Sequence, residues 1–137
     1  MFRRRTKPTE ITHLNELQEM TASGKPVLID FFQHGCGPCK IMDGIVNELA
    51  EEFEESAHIV KVNVARVPGA AQAFGVRSTP TFVVLARSQK KSSKKSRRRA
   101  AEAEGPGAVS PRWRTSGLVR KDVMTRVLES NGATRSA

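Results

Sequence analysis

The sequence predicts an α/β fold, a central sheet with helices on both faces in three layers, and three observations carry that prediction. Short apolar runs alternate with stretches of helical periodicity through the first 86 residues. A further strand and helix pattern returns near the C-terminus after a long stretch without apolar periodicity. With 137 residues the chain has the length of one domain that can bury a core without staples. Strands that feed helices in this way cover both faces of a sheet.

Thr9 is the expected N-cap of a first helix, because Ile11, Leu14, Leu17 and Met20 recur every three residues and Ser23, Gly24, Lys25 and Pro26 end the run. Val27 to Phe32 then form an apolar run bounded by Pro26 and Gly35, the mark of a strand buried on both faces, interrupted by Asp30. After Cys36, the positions Ile41, Met42, Ile45, Val46, Leu49, Ala50 and Phe53 fit one face of a helix reaching about Glu55, with Pro38 suited to its first turn. Residues 58–64 alternate as a strand, 68–74 suit a short helix closed by Gly75, and Thr81 to Ala86 form another strand. From 87 to 111 the composition turns to Lys, Arg, Ser, Ala and Gly, which predicts a basic disordered insert. A last strand is faint near Trp113 and is weakened by Pro111. Val119, Val123, Met124, Val127 and Leu128 then mark a closing helix that stops before Asn131 and Gly132. The expected organisation is a basic tail (1–8), a first domain part (9–86), the insert (87–111), a closing strand and helix (112–130) and a C-terminal tail (131–137).

The net charge of +9 is unevenly spread. Arg3, Arg4, Arg5 and Lys7 hold four of the positive charges, and Arg87, Lys90, Lys91, Lys94, Lys95, Arg97, Arg98 and Arg99 hold eight. The other eleven basic residues face fourteen acids, so the folded body stands at −3 with two basic appendages. No stretch has the length of a membrane span and the N-terminus lacks the apolar core of a secretory signal, so a cytoplasmic location without membrane association is expected. An organelle transit peptide opening at Arg3 would have too few residues before the first helix pattern.

With two cysteines two residues apart, Cys36 and Cys39, the chain cannot carry the disulfide framework of small secreted domains. The pair reads as chemistry. A thiolate attacks disulfides, and Cys36 at a helix N-terminus is favoured as thiolate by the unpaired N–H groups and dipole there. Cys39, one turn on, is placed to resolve the mixed disulfide. Asp30, an acid on a buried strand six residues before Cys36, has a carboxyl that burial raises, suited to act as general acid/base for Cys39.

Val27 to Phe32, then Cys36, Gly37, Pro38, Cys39 and Lys40, then Arg77, Ser78, Thr79, Pro80 and Thr81, resemble the thioredoxin family over about three quarters of the chain. The resemblance implies a thioredoxin-like fold with a mixed sheet, and protein-disulfide reductase activity with no cofactor beyond the dithiol. It assigns a cis peptide to Pro80, backbone contacts with the substrate chain to Thr79, the lysine beside the buried acid to Lys61, and the glycine before the last helix to Gly117. Gly35, Gly37 and Pro38 complete the expected substrate surface. Protein disulfides are the implied substrates, a thioredoxin reductase the possible donor, and a monomer is expected. The sequence departs from the family where Gly35, preceded by His34, stands in place of a Trp, and where the long insert replaces a short hairpin. Both alter the surface offered to partners.

Competing readings attach to the same residues. A CxxC can be half a zinc site, but the further ligands would have to come from His13, His34 and His58. Asp30 can be a satisfied structural carboxylate. A protonated His34 would favour the Cys36 thiolate; an ordinary surface His34 would not. The run from Lys90 to Arg99 has no aromatic residue to stack bases, so nucleic-acid binding through 87–99 would be phosphate-led, and a solvated loop is the plainer reading. That loop would lie about 17–20 Å from the cysteines, at the far end of the strand after Pro80. As alternatives to a reductase, a redox-inactive or redox-sensing module would recruit acidic partners through the basic segments, and a disulfide oxidant or isomerase would need export.

Overall fold

The computed structural model describes residues 6–88 and 109–136. Five strands form one sheet in the order β1-β3-β2-β4-β5, with β1 (Thr9–Ile11), β3 (His58–Asn63) and β2 (Val27–Phe32) parallel and β4 (Thr81–Arg87) and β5 (Val109–Ser116) antiparallel. The sheet is mixed, as the resemblance implies.

Alternation along the strands divides the core into two layers. Leu28 of β2, Ile59 of β3 and Phe82 and Val84 of β4 face helix α2 (Gly37–Glu52) and the closing helix α4 (Lys121–Ser130), which bury Met42, Val46, Leu49, Met124 and Leu128 against them. Val27, Ile29 and Phe31 point to the opposite layer, beneath α1 (Glu16–Ala22) and α3 (Ala70–Phe74), where Leu17, Ala70 and Phe74 pack. Every residue of β2 is buried, because the strand is central and covered on both faces.

The structure corrects the expected start. Thr9 does not cap a helix: it pairs with Val60, and Ile11 with Val62, in the edge strand β1. Ile11, 1% exposed, satisfies either a helical or a strand pattern, and the ladder offered by distant β3 decides between them. The first helix begins later, at Glu16, whose side-chain carboxylate accepts the Thr12 N–H at 2.8 Å and the His13 N–H at 3.0 Å, satisfying amides ahead of the helix. Helix α2 also ends at Glu52, short of the expected Glu55.

The expected insert is narrower at both ends. Arg87 closes β4, and Val109, Ser110 and Pro111 belong to β5, with Val109 directly opposite Arg87. Residues 89–108 lie outside the described residues. Pro111 is tolerated because β5 is an edge strand and its register shifts between Val84 and Leu85, so that Trp113 and Pro111 pair while Arg112 is left over as a bulge. The C-terminal tail is likewise more than a tail. Ala133 is 3% exposed within the α2–α4 layer, and the Thr134 N–H donates to Ser56 Oγ at 2.9 Å.

Candidate active site

Because β1, β2 and β3 run in one direction and β4 returns against them, the C-terminal ends of β2 and β3 and the start of β4 meet at one end of the sheet. Cys36 lies at that end as the N-cap of α2, in extended conformation (φ −88°, ψ 108°), with Pro38 in the first turn. Its sulfur accepts the Cys39 N–H at 3.2 Å and is joined to Cys39 in a disulfide across Cα atoms 5.2 Å apart. An amide of the helix N-terminus thus points at the Cys36 sulfur, an arrangement that favours negative charge there. Cys39 is 5% exposed, whereas Cys36 is half-buried. Of the two sulfurs, the outer one is open to a partner.

The Thr79–Pro80 peptide is cis, and the Thr79 carbonyl oxygen stands 3.5 Å from the Cys36 sulfur. Gly117 joins the same cluster by donating its N–H to the Pro80 carbonyl at 2.8 Å, at a φ of +84° that favours glycine. Gln33, His34, Cys36, Arg77, Ser78 and Thr79 border a cleft beside the disulfide, together with Gly35, Gly37 and Pro38. His34 meets the ring of Phe32 edge-on, with centroids 6.0 Å apart. Gly35, where the family carries a Trp, has φ +81°, and a Cβ added there would meet nothing within 4 Å.

Asp30 lies on β2, 1% exposed, on the same strand face as Leu28, which packs with Met42 of α2 three residues beyond Cys39. Its Oδ1 has no hydrogen-bond partner among the described residues. Burial pushes its carboxyl up from 3.8 to about 7, against the pull of Lys61 and with a further push from Asp43. Lys61 is beside Asp30 in the β2–β3 register, yet its ammonium bonds to Asp43 Oδ1 at 3.0 Å and lies 4.4 Å over the Phe32 ring.

The fold therefore gathers Cys36, Cys39, Gly35, Gly37, Pro38, Thr79, Pro80 and Gly117 at one end of the sheet, and sets Asp30 and Lys61 in the adjoining layer. Sequence reading did not single out Asp43 or the position of Arg77 on the cleft. The signal for Asp43 was present, since it follows Cys39 by four residues, the spacing that puts two side chains on one helix face. No group of three His, Cys, Asp or Glu side chains that would hold a metal occurs among the described residues. No helix among them is long and apolar enough to cross a membrane.

Comparison with known proteins agrees with this geometry. A family model described as Thioredoxin matches residues 8–104. A thioredoxin from Pyropia yezoensis is 38% identical over 77 residues, covering 56% of this chain and 72% of its own length. Thioredoxin 1 from a Nostoc species is 37% identical over 81 residues, covering 59% and 76%. Among solved structures, a mutant thioredoxin from Halobacterium salinarum superposes with a TM-score of 0.68 at 26% identity, covering 96% of each chain. The thioredoxin of Malassezia sympodialis, 20% identical over 96% of each chain with a TM-score of 0.69, shares the fold. With paired cysteines at a helix start in this fold, and a family match over most of its length, this chain belongs to the thioredoxin family of protein-disulfide reductases.

Proposed function

We propose that Cys36 is the nucleophile and Cys39 the resolving thiol of this reductase. The observation that carries the reading is the split in exposure between two sulfurs bonded to each other: Cys36 faces the cleft, and Cys39 is 5% exposed beneath it. In the reduced protein the Cys36 thiolate attacks one sulfur of a substrate disulfide, breaks it and releases one substrate thiolate. Asp30, as carboxylate, takes the proton from the Cys39 thiol. The Cys39 thiolate then attacks the Cys36 sulfur of the mixed disulfide, forming the Cys36–Cys39 bond and releasing the second substrate thiolate. Two electrons pass to the substrate, and an external dithiol donor of the thioredoxin-reductase kind returns them.

The substrate chain is proposed to lie across Thr79, Pro80 and Gly117, with Gly35, Gly37 and Pro38 on its other side. Glycines at 35 and 37 leave the approach to Cys36 open. Protein disulfides are the substrates, the protein acts as a monomer in the cytoplasm, where donors keep thiols reduced, and the basic segments are appendages to the reductase body.

The test is insulin reduction with dithiothreitol as electron source, comparing the wild type with Cys36→Ser. Acceleration by the wild type alone supports the dithiol cycle. If both match the uncatalysed rate, the reductase reading fails and a module that docks acidic partners through its basic segments replaces it.

A further inference from the structure

A cation beside a buried carboxyl would ordinarily pair with it, because the ion pair offsets part of the cost of burial. Lys61 does not follow that expectation. Asp30 and Lys61 are register partners on adjacent parallel strands. The Lys61 ammonium instead turns along the sheet to Asp43 of α2, at 3.0 Å, over the Phe32 ring, while Asp30 Oδ1 is left without a partner among the described residues. Asp43 lies one helical turn beyond Cys39, so the carboxylate that captures the lysine belongs to the helix that carries the resolving thiol.

The surroundings of Asp30 make this capture consequential. From β3 the register partner is Lys61, with Asn63 two residues further on, and from α2 the charged neighbour is Asp43. Phe82 of β4 is in register with Asp30, and α4 adds Met124 and Leu128 to the layer. Among the described residues, the charged groups acting on Asp30 are therefore Lys61 and Asp43, and they act with opposite sign. For a carboxyl this buried, where the cation sits determines how readily it holds a proton.

We propose that Asp43 is a positioning residue of the proton relay: by binding the Lys61 ammonium it keeps that cation off Asp30, leaving Asp30 a stronger base toward the Cys39 thiol. The inference rests on the reading of Asp30 as that base. It predicts a device in which a half-exposed carboxylate on α2 controls a buried one on β2 through a shared lysine. Without Asp43, Lys61 is free to swing to Asp30, hold it as carboxylate and weaken it as a proton acceptor.

The test follows the carboxyl carbon resonance of Asp30 against pH in the oxidised protein, for the wild type, Asp43→Asn, Lys61→Met and the double variant. Asp43→Asn is expected to lower the Asp30 midpoint by about one pH unit. Lys61→Met is expected to raise it. In the Lys61→Met background, Asp43→Asn should move the midpoint by less than half as much, because no lysine remains to be released. An Asp43→Asn midpoint that stays put or rises overturns the proposal, as does an equal shift in both backgrounds. Amide spectra that keep their dispersion show that each variant is folded. The pH profile of insulin reduction supplies a second readout, with the acidic limb of Asp43→Asn displaced to lower pH. Insulin reduction that is absent in the wild type refutes the reductase reading while the titration still decides the role of Asp43. A normal wild-type rate with an unmoved Asp30 midpoint refutes this inference alone.

Discussion

Asp30 is a carboxyl that the fold holds at a cost. Its folded value, about 7, lies above the ordinary 3.8, so the folded protein binds this proton more tightly than the unfolded chain does. Stability attributable to Asp30 therefore falls as pH rises from about 4 to about 7 and levels off above that. Replacing it with Asn, which carries no charge, should raise the unfolding free energy of the oxidised protein by about 2–4 kcal/mol at pH 8. The gain should close as pH falls below about 4, and urea titrations at both pH values check it. The same substitution removes the proposed proton acceptor of Cys39, so slower insulin reduction should accompany the greater stability. Gly35 poses a different residue-scale question. Its left-handed backbone, with open space around an added Cβ, means that Gly35→Ala should cost about 1 kcal/mol from the backbone alone, measured by the same titration. Cys36, Cys39 and Asp30 stood out in the sequence because their chemistry is unusual for their positions. Asp43 did not, because an acid on a half-exposed helix face is ordinary until the lysine it binds is located on β3.

Among the elements, α2 shows how local sequence and site geometry coincide. Pro38 suits a first turn, Cys36 caps it, and Met42, Val46 and Leu49 bury one stripe, so the helix start falls where the dithiol is needed. The closing helix α4 lies beyond the stretch that the family model matches, yet Met124 and Leu128 are fully buried against the sheet. Leu128→Ala is expected to cost about 2–5 kcal/mol, read as a lower urea midpoint with an unchanged slope, which marks α4 as part of the cooperative unit. Strands β2 and β4 were legible as apolar runs because they are covered on both faces. Strand β1 was missed and β5 was only faint near Trp113, because each is an edge strand, half-exposed and short of apolar residues, and each is held mainly by ladder bonds to a neighbour far away in the chain. Pro111 argued against a strand in local terms; the bulge that accommodates it becomes visible only when Val84 and Leu85 are set opposite.

For the whole molecule, the antiparallel pairing of Arg87 with Val109 brings together the two ends of the segment between them, at the end of β4 away from Thr81 and the cysteines. Replacing residues 89–108 by a two-residue turn should therefore preserve the sheet. Insulin reduction should stay within about twofold of the full chain. Stability should rise by about 2 kcal/mol from the shorter connection, as checked by activity and urea titration side by side. A large loss of activity would show that the segment serves the dithiol site. Composition located most of the excess basic charge in two stretches of the chain, 3–7 and 87–99, a reading that needs no coordinates because charge is a property of residues. The dithiol, its helix-start position, the central strand and the α/β class were likewise legible in the chain, since each follows from neighbours within about a dozen residues. Strand order, the direction of β4, the meeting of Pro80 and Gly117 with Cys36, and the capture of Lys61 by Asp43 depended on the folded molecule. Each joins segments from 18 to some 80 residues apart, and nothing in local periodicity encodes which distant partner satisfies a given backbone or charge.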